Sequence, residues 1–220
     1  FNSNFVVQST FYMKKEQDYI RDIAEIRNMM ENSSKFLSLS GWAGIMAGAY
    51  ALIGAFIAYR FLDFNPQQVG YDLSGKIGFA PHIAQLLLLG IVILVLALGT
   101  AIYFSHRNAE KNGQKLWNPT SRRLLFSMSV PLAAGGSLIL ILISMELHGL
   151  IAPLSLLFYG LALYNASKFT FREVKILAYV EIVLGLLGAY FISYGVLLWA
   201  VGFGIAHIVY GILIHYSYER

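Results

Sequence analysis

The sequence contains no cysteine, and this absence excludes disulfides, thiolate metal sites, iron–sulfur ligation and a cysteine nucleophile. Charged residues are also few, at 13% of the 220 residues, whereas soluble domains have roughly a quarter. Common catalytic signatures are missing too: there is no Walker lysine, no HExxH and no GxSxG, and Gly202-Phe203-Gly204 is an isolated GxG inside an apolar run. This composition is not that of a soluble enzyme.

Apolar residues are instead abundant, at 57% of the chain, and they occur in long runs. A helix needs about 20 apolar residues to cross the hydrocarbon core of a bilayer. Six runs meet or approach this length, so the sequence predicts an all-α polytopic membrane protein with six transmembrane helices. The predicted spans are residues 39–59, 83–104, 124–145, 150–166, 174–193 and 196–214.

Lysine and arginine are distributed unequally between the loops that alternate along these spans. Fourteen lie in or beside the N-terminal segment, the second–third loop, the fourth–fifth loop and the C-terminus, whereas only Arg60 and Lys76 lie in the other loops. Because positively charged loops stay on the cytoplasmic side, both termini are predicted to be cytoplasmic. The expected organisation is an extension or disordered segment at 1–12, a cytoplasmic amphipathic helix at 13–37 and a six-helix transmembrane domain at 38–216.

The helix predicted before the first span has one apolar stripe. Tyr19, Ile23, Ile26 and Met30 recur at spacings of three and four, and charged residues occupy most of the other positions. A helix that lies on a membrane surface usually has a basic polar face, but acidic and basic residues balance here. The stripe therefore favours contact with a protein, either a cytoplasmic partner or a second copy of the chain.

Small residues form one face of the first predicted span. Gly44, Gly48, Ala51 and Ala55 recur at spacings of four, three and four, and such faces let helix backbones approach closely in lipid. One interpretation is packing inside a single bundle, and the other is the seam of a homodimer.

The third predicted span contains Pro131, followed by Gly135 and Gly136. Proline removes a backbone donor and kinks a helix. The kink could simply shape packing, or it could line a cavity, as the broken helices of transporters do.

Two ionisable residues, Glu181 and His207, lie deep inside the fifth and sixth spans. Such residues are costly in lipid and are candidate functional groups. Counted from the tight turn at Tyr194-Gly195, they lie at nearly the same depth, so we predict that they contact each other. The pair could be structural, or it could respond to protons, because histidine titrates near neutral pH. Small residues flank both: Ala178, Gly185 and Gly188 on one helix, Gly204 and Gly211 on the other.

No metal or cofactor is predicted. His82, Glu146 and His148 could approach one another at the outer surface, but their spacing matches no known metal signature. The formal charge of +4 comes from basic residues at helix ends, which indicates membrane topology and no nucleic-acid partner. The expected partner of the apolar helices is membrane lipid.

Four segments resemble an uncharacterised family of bacterial six-helix integral membrane proteins: EIRNMME at 25–31, SSKFLSLSG at 33–41, GQKLW at 113–117 and YGLALYNASK at 159–168. The resemblance implies a six-helix fold in the bacterial cytoplasmic (inner) membrane. It implies no activity and no site residues.

Three functions are compatible with these features. The first is a non-enzymatic binding or regulatory protein, which predicts a packed core and an exposed cytoplasmic face. The second is a transporter or channel for a small solute, an ion or protons, which predicts a polar cavity that reaches the middle of the bilayer. The third is an embedded enzyme acting on lipid, which predicts a pocket open sideways to lipid.

Overall fold

The computed structural model describes residues 39–61, 83–111, 113, 115–145 and 147–219, together with Tyr19 and Ile23. The chain divides into two compact units, residues 1–35 and 36–220. In the first unit, Tyr19 and Ile23 are helical and exposed. The other stripe residues, Ile26 and Met30, lie outside the described residues, so the amphipathic helix stays a prediction.

The described part of the second unit consists mainly of helices joined by short turns, and no strand occurs in it. Its helices are α1 (Gly41–Phe61), α2 (Ile83–Lys111), α3 (Pro119–Ser144), α4 (Ile151–Ala166), α5 (Arg172–Tyr190) and α6 (Ile192–Glu219). Among these described helices, five are long and apolar enough to cross a membrane, α4 being counted with the 3-10 turn His148–Leu150 before it. The exception is α5, which carries Arg172, Glu173, Lys175 and Glu181 in 19 residues.

Helix α3 begins earlier than its apolar run, and a capping box explains why. The Asn118 side chain accepts the Ser121 backbone N–H at 2.8 Å, and the Ser121 hydroxyl accepts the Asn118 backbone N–H at 2.9 Å. Pro119 follows at the first helical position, where its missing N–H costs nothing. Helix α2 similarly continues to Lys111, past the end of its apolar run.

Three helices form the centre of the unit. Helices α4, α5 and α6 pack against one another, α1 lies on α6, α2 lies on α1 and α3 lies on α4. Helix α2 is consequently peripheral, and none of the residues in its apolar stretch is buried. Its long apolar surface is suited to lipid.

The small-residue face of α1 packs on α6 of the same chain. A Cβ at Gly44 would lie 3.1 Å from the Gly211 Cα, and a Cβ at Gly48 would lie 2.6 Å from the Gly204 carbonyl oxygen. Ala51 is buried and Ala55 is half-buried. This face is therefore occupied by intramolecular packing, and a homodimer seam would have to use another surface.

Helix α3 runs through Pro131 without a break in its helical backbone. Pro131 is buried, and a Cβ at Gly135 would lie 2.5 Å from the Phe158 Cβ of α4, whereas a Cβ at Gly136 would meet nothing within 4 Å. Gly135 thus serves close packing of α3 on α4. A kink at Pro131 stays a prediction.

Helix α6 changes its winding along its length. After a 3-10 turn at Ile192–Tyr194 and an α-helical turn at Gly195–Trp199, residues Ala200–Ala206 are π-helical, and the α-helix resumes at His207–Ile214. Such π-helical segments are uncommon and frequently occur at functional sites. This one lies directly before His207.

Candidate functional site

Glu181 of α5 and His207 of α6 are in contact inside the helix bundle. His207 Nδ1 lies 3.3 Å from Glu181 Oε1, and the side chains are 7% and 0% exposed. The contact predicted from the depth of the two residues is therefore present. Both are among the few buried polar side chains of the described residues.

Both ring nitrogens of His207 have hydrogen-bond partners. Nδ1 is 3.0 Å from the Gly202 carbonyl oxygen, and Nε2 is 3.0 Å from the Tyr159 hydroxyl. A carbonyl oxygen can only accept, so Nδ1 must carry a hydrogen. In a neutral ring Nε2 is then unprotonated and accepts the Tyr159 O–H; in an imidazolium, Nε2 donates to the Tyr159 oxygen.

Glu181 has no such partners. Neither carboxyl oxygen has a hydrogen bond within the described part of the chain, because the Nδ1 hydrogen of His207 is directed to Gly202. Glu181 and His207 are thus close enough to interact electrostatically, but no hydrogen bond joins them. A buried carboxyl group without a hydrogen bond is rare and calls for an explanation.

The carboxyl group is closely surrounded. A Cβ at Gly202 would lie 2.6 Å from Glu181 Oε2 and 2.6 Å from Leu156 Cδ2. The absence of a side chain at Gly202 therefore makes the room that the carboxyl group fills.

Aromatic rings cover the histidine. Phe203 stacks on His207 with ring centroids 5.6 Å apart and planes at 20°, and the Tyr159 ring lies 5.0 Å from Phe203 and 5.5 Å from His207. The imidazole thus has an apolar face and a polar edge. The Tyr159 hydroxyl, which lies 3.0 Å from His207 Nε2, completes this polar edge.

The net charge of the pair limits its protonation states. A carboxylate with an imidazolium is neutral overall, and so is a carboxylic acid with a neutral imidazole. These two arrangements hold the same number of protons and differ only in where one proton lies. Removing that proton leaves a buried negative charge and adding another leaves a buried positive charge, and both are costly in an apolar interior.

Two of the flanking glycines, Gly185 and Gly211, approach helices outside the α5–α6 pair, whereas Gly188 of α5 lies near Gly195 of α6. A Cβ at Gly185 would lie 2.7 Å from the Leu157 nitrogen of α4, and one at Gly211 would lie 2.5 Å from the Gly41 carbonyl oxygen at the start of α1. Gly185 therefore serves packing of α5 on α4, and Gly211 serves packing of α6 on α1. The glycine that meets the pair is Gly202.

A second polar cluster lies at the far end of α6. Glu219 Oε1 accepts the Gly41 backbone N–H at 2.9 Å, and Glu219 Oε2 lies 2.7 Å from His215 Nδ1. The carboxylate thereby caps the N-terminus of α1, where negative charge is favourable. This cluster ties α1 to α6 and is structural.

Tyr159, Gly202 and Phe203 are the site residues that the sequence did not reveal. Phe203 precedes His207 by four residues, which places the two rings on one helix face. That spacing was a usable signal. Tyr159 lies on a different helix, and no pattern in a single sequence links it to His207.

Among the described residues, no three histidine or acidic side chains come close enough to hold a metal ion. His148 is half-buried in the 3-10 turn before α4, while His82 and Glu146 lie outside what the structure describes.

Comparison with known proteins found no matching family model, no matching curated protein and no matching solved structure.

Proposed function

We propose that this chain is a six-span membrane protein, with both ends in the cytoplasm, that acts by binding or regulation and holds one exchangeable proton on its Glu181–His207 pair. The observation that carries this proposal is the fully buried Glu181 carboxyl group, which has no hydrogen bond to any described residue and lies 3.3 Å from His207 Nδ1. A bacterial cytoplasmic membrane is the proposed location.

The sixth span in this proposal is α5. Its 19 residues give a length of about 28 Å at 1.5 Å per residue, close to the thickness of a bilayer core. Three of its four charged residues, Arg172, Glu173 and Lys175, lie in or near the first turn, where a span meets the cytoplasm. Only Glu181 would then lie in the apolar region. The distribution of basic residues between alternate loops supports the same count.

Close packing favours a regulatory or binding role over transport in the conformation described. Gly202 and Leu156 lie against the carboxyl group, and Phe203 covers the imidazole. A proton that binds here changes the charge of a packed core, which is the way a sensor converts pH into a change of structure. The predicted stripe of Tyr19, Ile23, Ile26 and Met30 would contact the partner or a second copy.

A proton-coupled transporter is the second candidate, and the π-helical segment Ala200–Ala206 supports it. Irregular backbone inside a span is often associated with ion and substrate sites. The Gly202 carbonyl in this segment accepts the His207 hydrogen. If the segment rewinds as an α-helix, the His207 ring loses that acceptor and its position beside Glu181.

Topology is tested by reporter fusions at Gly75 and Gly113. The six-span arrangement predicts that the two reporters lie in opposite compartments. Reporters in the same compartment would contradict it, because an odd number of spans must separate these sites.

The proton site is tested by infrared difference spectroscopy of the purified protein between acidic and alkaline pH. We expect a carboxyl band that changes with pH in the wild type and disappears in Glu181→Gln. Glu110→Gln is the control, because Glu110 is an exposed carboxylate on α2. A spectrum of Glu181→Gln that equals that of the wild type would refute the proton site.

Regulation and transport are separated by proteoliposomes that contain a pH indicator dye. A regulator gives no proton flux when a membrane potential is applied. A flux in the wild type that Glu181→Gln abolishes, and that Glu110→Gln leaves unchanged, would favour the transporter.

A further inference from the structure

The N-terminal end of α3 carries a groove with two arginines and an apolar floor. Its volume is about 610 Å³, and it is lined by Trp117, Arg122, Arg123, Leu125, Phe126 and Ser129, with Pro119 at its edge. The groove lies well apart in sequence from the Glu181–His207 pair, and nothing in the proposed function uses it.

The two arginines of the groove are available to a ligand. Within the part of the chain that the structure describes, neither Arg122 nor Arg123 forms an ion pair, and both are exposed. The capping box at Asn118 and Ser121 fixes the turn from which they project. The backbone N–H of Ser121 is satisfied by this cap, so the positive charge of the groove comes mainly from the two guanidinium groups.

The apolar side chains of the groove are also uncovered. Trp117 is 67% exposed, Phe126 is 76% exposed and Leu125 is 51% exposed. Tryptophan is favoured at the membrane–water interface, where its ring meets both apolar chains and polar headgroups. Leu125 and Phe126 follow one turn deeper along α3, in the apolar direction of the helix.

We propose that this groove binds the headgroup of an anionic phospholipid of the cytoplasmic leaflet. Guanidinium groups form paired hydrogen bonds to phosphate oxygens, and basic pockets on the cytoplasmic side of a membrane protein attract acidic lipids. The acyl chains of the same lipid cover Leu125 and Phe126. A free phosphate would neutralise the arginines but leave these side chains exposed, and the combination of charge and apolar floor therefore selects a lipid.

The inference rests on the proposed insertion of the chain in a membrane, and native tryptophans allow both to be tested together. The chain has three tryptophans, at 42, 117 and 199. Replacing two of them by phenylalanine leaves a protein with Trp117 alone or with Trp199 alone. Each protein is reconstituted in phosphatidylcholine vesicles that contain a fixed fraction of either brominated phosphatidylglycerol or brominated phosphatidylcholine, since bromine quenches tryptophan fluorescence on contact.

We expect Trp117 to be quenched preferentially by the brominated anionic lipid. Each arginine near an anionic surface increases the association with anionic lipid about fivefold, so the pair should give a preference of roughly 25-fold. Arg122→Gln with Arg123→Gln should abolish the preference, whereas lysine at both positions should retain part of it because the charge remains and the paired hydrogen bonds are lost. Arg172→Gln, which removes an exposed arginine from the start of α5, is the matched control and should change nothing.

Trp199 distinguishes the two ways in which the expectation can fail. If Trp199 is quenched equally by both lipids and Trp117 also shows no preference, the protein is inserted and the lipid site is wrong. If neither tryptophan is quenched by either lipid, the protein is not inserted, and the proposed membrane insertion and the lipid site both fail. A preference that persists in the double glutamine variant would also overturn the assignment to these arginines.

Discussion

Replacing Gly211 by alanine should destabilise the protein through a clash between the backbones of α1 and α6. A Cβ at this position would lie 2.5 Å from the Gly41 carbonyl oxygen and 2.6 Å from the Ile45 backbone nitrogen, whereas ordinary contact begins at 3.4 Å. Because both atoms belong to the backbone, no change of side-chain rotamer relieves the clash. The two helices would have to move apart.

The size of this effect follows from packing. A gap of roughly 0.5–1 Å forfeits a quarter to a half of the dispersion energy of each contact it opens, and overpacking in well-packed interiors costs about 1–3 kcal/mol. Alanine offsets part of this cost, because it is about 1 kcal/mol more favourable than glycine in a helix interior. We therefore expect a net loss of up to about 2 kcal/mol in the free energy of unfolding.

The matched control is Gly136→Ala in α3, where a Cβ would meet nothing within 4 Å. This substitution changes the same atoms inside a helix but should be neutral or slightly stabilising. The free energies of unfolding are measured by titrating SDS into detergent micelles. Equal stability of the two variants would refute the argument that α1 and α6 are in backbone contact at Gly211.

Two further predictions concern hydrogen bonds. Glu219→Ala should lower the free energy of unfolding by about 0.5–2 kcal/mol, as for other lost helix caps, because the Gly41 N–H loses its acceptor. Glu219→Gln retains an oxygen acceptor and should lose less; wild-type stability of both variants in the same SDS titration would contradict the prediction. Tyr159→Phe should lower the free energy of unfolding by about 0.6–1.7 kcal/mol, the average to maximum for hydrogen bonds in a membrane protein, because His207 Nε2 loses its partner. Tyr179→Phe, at an exposed ring of α5, is the control, and equal losses for the two variants would contradict the prediction.

The helices themselves were largely predictable from the sequence, because apolar runs of this length are a strong signal. The residues at which the helices begin and end were less predictable. The apolar run of the third span begins at residue 124, but α3 starts at Pro119 because Asn118 and Ser121 form a capping box. A cap depends on a few polar residues outside the apolar pattern, so hydropathy alone does not find it.

The Glu181–His207 contact was predictable because a short turn fixes the relative depth of two neighbouring helices. Its surroundings were not. Depth says nothing about which way a ring nitrogen points, and the Gly202 carbonyl takes the hydrogen that a simple ion pair would give to the carboxylate. The π-helical winding that brings Gly202 close leaves no periodic trace in an apolar sequence.

The glycine pattern was informative about closeness but not about partners. A face such as that of Gly44 and Gly48 indicates that something approaches, whether α6 of the same chain or a second copy. Which of these occurs depends on the arrangement of all the helices, and the structure gives α6.

The contact between Glu219 and Gly41 also has a consequence for synthesis in the cell. The two residues are separated by 178 positions, and Gly44 and Gly48 also pack against α6, which is synthesised much later than α1. At about 5–20 residues per second, translation needs on the order of ten seconds to deliver that helix after α1 has emerged. During this interval the glycine face of α1 and its first backbone N–H groups have lipid or insertion machinery in place of α6. In the proposed membrane arrangement, release of α1 into the bilayer before α6 arrives would expose a surface that other nascent helices can occupy, and correct packing of α1 would depend on the arrival of α6.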